Sequence, residues 1–148
     1  MKKNIILLCI FLCIAALAVF FFTKACPPGQ TKHAVITIGE STKFSQEEIQ
    51  KAMDLVLKEF THFTDCDLTG LWYDEAKSDL EATKYLQSTL HSAAGITEGN
   101  VIFLLSSFNT GAKSYKQGFS PNMHPQNWSW ILTRANKNSP WELVDWGY

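Results

Sequence analysis

Ile5 to Phe22 is an uninterrupted apolar run of eighteen residues, and it divides the chain before anything else is read from it. As a helix it would span ~27 Å at 1.5 Å per residue, enough to cross a hydrocarbon core. Lys2 and Lys3 precede the run and Lys24 follows it. Positive charge ahead of the run favours a cytoplasmic N-terminus and an exported C-terminal part. Three arrangements fit: an uncleaved signal anchor, a lipoprotein signal with Cys26 as the acylated residue after Ala25, or a secreted protein cleaved near Ala25. Each leaves the rest of the chain outside the cytoplasm. The expected organisation is a signal or anchor segment over residues 1–26, a Pro/Gly spacer over 27–32 and an extracytoplasmic domain over 33–148, localised at the cell membrane.

The 122 residues after Cys26 are enough for one well-formed core. Three of the thirteen Lys+Arg lie before Pro27, so this part carries ten against fourteen Asp+Glu, a net charge of −4. That balance argues against a nucleic-acid partner. An aromatic content of 13% argues against disorder. Four cysteines are too few for a disulfide scaffold. Cys9 and Cys13 sit in the apolar run. Cys66 reads as a lone buried thiol, with pairing to Cys26 as the alternative in an oxidising compartment.

The periodicities order the domain β-α-β-α-β-β-β. His33–Ile38 is rich in β-branched residues and reads as a strand. Ser45 and Glu48 have capping-box spacing, with Phe44 and Ile49 at the staple positions. Ile49, Ala52, Met53, Val56, Leu57 and Phe60 then recur on one helical face. Leu68–Glu75 reads as a strand. Ser78 and Glu81 repeat the capping-box spacing ahead of a second helix ending at Gly95. Val101–Leu105 is a continuous apolar strand, Asn109–Gln126 a loop, and Trp128–Thr133 and Trp141–Tyr148 the arms of a hairpin. The expected fold is α+β: an antiparallel sheet of about four to five strands packed on two helices lying on one face, preceded by an N-terminal transmembrane or signal helix.

Phe44–Ile49, Leu71–Glu75, Val101–Phe108, Asn127–Leu132 and Asp145–Tyr148 together resemble a family of small, uncharacterised, lipoprotein-like proteins of Gram-positive bacteria. The resemblance implies an extracytoplasmic, membrane-tethered domain and transfers no activity. The strand order is also similar to a cystatin-like or NTF2-like cone, in which a curved sheet cradles a helix.

No CxxC, HExxH, GxSxG, P-loop or GxGxxG motif is present. His33, His62, His91 and His124 lack metal-ligand spacing, so neither a metal nor a cofactor is expected. Asp74 and Glu75 are adjacent on a strand and face opposite sides, which suits a strand end better than an acid/base pair. Of the five tryptophans, Trp128 and Trp130 share one strand face, and most are expected in the core. The Asn109–Gln126 loop spaces Tyr115, Phe119 and Met123 among flexible residues and carries His124, so it is the expected recognition surface rather than a stability element. Two function classes follow. The favoured one is a non-catalytic binding module tethered at the membrane, contacting another envelope protein or a wall component. The alternative is an enzyme or small-ligand-binding protein with a cone pocket, using Tyr73, Asp74 or His124.

Overall fold

The computed structural model describes residues 26–88 and 96–148. The apolar run, its expected helix and the far end of the second helix at Gly95 lie outside those residues. Among the described residues, no helix is long and apolar enough to cross a membrane.

The fold is α+β, with strands β1 (Val35–Ile38), β2 (Cys66–Tyr73), β3 (Val101–Thr110), β4 (Trp128–Thr133) and β5 (Glu142–Gly147). The helices are α1 (Gln46–Phe60) and α2 (Glu75–Gln87). The five strands form one sheet in sequence order. β2 to β5 pair antiparallel, as expected. β1 pairs parallel to β2, so the sheet is mixed rather than antiparallel. The cause is the connection: α1 carries the chain back along the sheet between β1 and β2, and a helical crossover delivers a parallel neighbour.

Helix α1 forms as its capping box dictates. The Glu48 N–H donates to Ser45 Oγ at 3.2 Å, and the Ser45 N–H donates to Glu48 Oε2 at 2.8 Å. Ile49, Ala52, Met53, Val56 and Phe60 are buried along one face. They pack with Leu68, Leu71, Ile102, Leu104, Phe108, Trp130 and Leu132 in the main core. A bulge between Leu68 and Gly70 lets Leu68 and Leu71, three residues apart, both face α1.

Helix α2 departs from expectation twice. Its N-cap is Asp74, whose carboxylate accepts from the Lys77 N–H at 2.8 Å, so Ser78 and Glu81 lie inside the helix and form no capping box. The Ser78 hydroxyl is buried and accepts the Phe103 N–H at 3.0 Å, closing a strand donor that β2 is too short to reach. Second, the helices lie on opposite faces. Ile102 and Leu104 belong to the α1 core, while Val101 and Phe103 pack with Ala82, Tyr85 and Leu86 of α2. Alternate residues of a strand point to opposite faces, so α1 and α2 sandwich β3. The short loop between Tyr73 and Glu75 turns the chain onto the face that α1 leaves open.

The β4–β5 hairpin is latched to the start of α1 by Arg134. Its guanidinium is buried, donates to Glu48 Oε1 at 2.8 Å and to the Gly99 carbonyl at 3.0 Å, and lies 4.3 Å from the Trp141 ring centroid. The Trp141 indole N–H donates to the Glu48 carbonyl at 3.0 Å.

Candidate aromatic binding site

The C-terminus of α1, the starts of β2 and β4, and the ends of β3 and β5 meet at one end of the sheet, as the registers require. All of them but β2 deliver an aromatic ring there: Phe60 from α1, Phe108 from β3, Trp128 and Trp130 from β4 and Trp146 from β5. Phe63 lies at the centre, 5.1 Å from Phe60, 5.2 Å from Phe119, 5.2 Å from Trp130 and 6.2 Å from Trp146, centroid to centroid. Trp128 packs edge-on against Phe108 at 5.5 Å and against Tyr148 at 5.1 Å. Offset and edge-to-face pairs at these separations are the favoured aromatic geometries.

Beside this cluster is an open cavity of about 390 Å³, lined by Phe63, Phe119, Trp130, Leu143 and Trp146. Glu59, His62 and Gln117 supply its polar lining. Trp146 is half exposed, whereas Trp130 is fully buried. A bulge in the β4–β5 pairing puts Leu143 and Trp146 on the same face. The Gln117 amide is already committed: it donates to the His62 carbonyl at 2.7 Å and accepts from the Thr64 N–H at 2.8 Å. His62 Nδ1 stands 3.4 Å from Glu59 Oε2. An apolar cavity with a few polar groups at its margin is the general form of a small-ligand site.

The loop that borders the cavity is more ordered than its composition suggests. β3 continues through Thr110, so the connection starts at Gly111 rather than Asn109. Asp65 adopts φ +58° and holds the loop's first turn: its carbonyl accepts from Gly111 at 2.6 Å and its carboxylate from the Lys113 N–H at 2.6 Å. Thr110 and Met123 exchange backbone and hydroxyl hydrogen bonds. Ser114 is buried, and Phe119 packs against Phe63, Phe108 and Trp128. The loop is therefore a packed flap on the aromatic end, held by hydrogen bonds and by Phe119.

The six candidate residues separate into two groups. Tyr115 and Met123 expose 59% and 53% of their surface, and His124 is exposed with its Nδ1 2.6 Å from Asn109 Oδ1. Phe119 lines the cavity. Tyr73 and Asp74 stand at the opposite end of the sheet, where β2 stops. Tyr73 is buried with its hydroxyl 3.3 Å from Ser41 Oγ, and burial pushes its pKa up. Asp74 is spent as the α2 cap. The trio of Tyr73, Asp74 and His124 is thus not assembled into one site. Phe63, Trp146, Leu143 and Glu59 were missed as site residues. The available signal was that aromatic residues flank the ends of successive elements that converge on one place.

Among the described residues, no group of three or more His, Cys, Asp or Glu could hold a metal ion. Cys66 is a buried free thiol, pushed up to about 11 by burial and by the neighbouring Asp65 charge, and Cys26 is also free. A thiol at that value stays protonated near neutral pH and is a poor nucleophile. No protein-family model, curated protein or solved structure matches the chain.

Proposed function

We propose that the chain is a non-catalytic binding module tethered to the outer side of the cell membrane, and that its aromatic cavity takes a sugar ring of a wall glycan. The observation that carries this reading is the half-exposed Trp146 beside a cavity lined by Phe63 and Phe119, with Glu59 and His62 at its polar side. A pyranose offers an apolar C–H face that stacks on an indole, and hydroxyls that donate to a carboxylate. The tether rests on the apolar run, its flanking lysines and Cys26. Envelope peptides are the competing ligand class, and the same titration separates them.

Titrating the protein with soluble wall-glycan fragments, and in parallel with their peptide portions, should change tryptophan emission for the glycan. Trp146→Ala and Glu59→Gln should each weaken binding at least tenfold, the loss of ~1.4 kcal/mol or more that a stacking or charge-assisted contact supplies. Unchanged affinity in both variants, or a response to the peptide alone, would reject the glycan reading.

A further inference from the structure

We infer that the domain is held with its aromatic end against its own bilayer, with Tyr115, Met123 and Tyr148 in the headgroup layer; this rests on the membrane tether proposed above. Three observations support the orientation, and none depends on which ligand the cavity takes.

The first is where the chain enters the domain. Pro27–Gln30 is stitched to the turn between α1 and β2 by four backbone hydrogen bonds. The Pro27 carbonyl accepts from Asp65 at 2.8 Å and the Thr61 carbonyl from Gly29 at 3.0 Å. The Cys66 carbonyl accepts from Gln30 at 2.9 Å and the Gln30 carbonyl from Leu68 at 2.8 Å. Gly29 is buried, and a Cβ there would collide with the Phe60 carbonyl. The chain is therefore part of the domain from Pro27 onward, at the end where the rings converge.

The second is reach. Only Thr23, Lys24, Ala25 and Cys26 separate Phe22 from that fixed point. Four residues span at most ~14 Å. If Cys26 is the acylated residue, the tether has no length at all. The ten residues of β3 extend ~33 Å at ~3.3 Å per residue, so the far end of the sheet cannot exchange places with the near end.

The third is surface chemistry. Tyr115, Met123, Trp146 and Tyr148, four of the exposed large apolar residues, lie at this end, and Tyr148 is 86% exposed. The flap, residues 111–127, carries Lys113 and Lys116 and no Asp or Glu; of the carboxylates at this end, Glu59 lines the cavity and Asp65 is bonded to the Lys113 N–H. Aromatic rings with lysines are the composition of a membrane–water interface, where rings sit at headgroup level and lysines meet lipid phosphates. The opposite end presents Asn136, Lys137, Asn138 and Ser139 instead. A ligand entering the aromatic cavity is then met at the membrane surface.

The test uses the full chain reconstituted into vesicles of phosphatidylcholine and phosphatidylglycerol, with ordinary or brominated acyl chains. Bromine quenches tryptophan only at close range. Met123→Trp places a reporter at the aromatic end and Lys137→Trp at the far end, both at exposed positions; Tyr115→Trp serves as a second near reporter should Met123→Trp misfold. The emission added by Met123→Trp should be largely lost in brominated vesicles and that added by Lys137→Trp retained. Flotation is read on the same samples. Chain that floats while its near reporters stay unquenched, or with both ends quenched alike, overturns the orientation alone. Chain that fails to float overturns the tether, and the orientation with it.

Discussion

Replacing Glu48 by Gln tests whether the Arg134 latch is a main source of stability. Burial raises the Glu48 pKa, but the Ser45 backbone N–H, the Arg134 guanidinium and the Ser45 hydroxyl outweigh it, bringing the value from 4.5 down to about 2. A carboxyl that titrates near 4.5 unfolded and near 2 folded contributes about 3 kcal/mol at neutral pH, at ~1.4 kcal/mol per pH unit. Because the folded value is the lower one, that stability is present above pH ~4.5 and is lost as pH falls towards 2. Gln at this position can still reach the Ser45 N–H, so the capping box survives. What is lost is the anion beside a guanidinium whose side chain is 5% exposed. Breaking a buried ion pair costs ~3–5 kcal/mol. The Gly99 and Lys137 carbonyls and the Trp141 ring still hold Arg134, which puts the expected cost at the lower side, ~2–4 kcal/mol. Urea unfolding of the chain from Pro27 at pH 7 should show a lower midpoint with an unchanged slope. Repeated down to pH 2.5, the gap between wild type and Glu48→Gln should shrink steadily as the wild-type carboxylate takes up its proton. A cost below ~0.5 kcal/mol at pH 7, or a gap as wide at pH 2.5 as at pH 7, would refute the reasoning.

Two further outcomes probe the core and the flap. Phe60→Ala should cost ~3–5 kcal/mol in the same urea assay, since its fully buried ring contacts Phe63, Phe108 and Trp130; a cost under ~1 kcal/mol would place the ring outside the core. Phe119→Ala should cost ~1–3 kcal/mol and raise amide exchange across residues 111–127. An unaffected midpoint and exchange pattern would return the loop to the status of a free recognition segment.

Local rules carried much of this fold. The Ser45–Glu48 box, the Phe44 staple and the apolar face of α1 depend on neighbours within a few turns, so spacing alone located the helix and its buried side. The pairing of β4 with β5 was equally legible, because a turn-rich Ala135–Pro140 segment between two strand-like runs determines a hairpin. The expectation of both helices on one face was wrong for α2, although a hint against it existed. Val101–Leu105 is apolar at every position, the pattern of a strand covered on both faces, and a sheet with both helices on one face would leave Val101 and Phe103 in water. The α2 start was misplaced because Asp74 and Ser78 are both competent caps. Only the tertiary position of the Phe103 N–H, which β2 does not reach, decided that the Ser78 hydroxyl would be used there and the Asp74 carboxylate as the cap. The Arg134–Glu48 pair joins residues 86 apart in sequence, and the aromatic cavity draws on α1, the flap, β4 and β5. Sequence spacing reports what lies on one face of one element. Which faces meet is settled by sheet register and crossover, and the candidate binding site exists only where those faces converge.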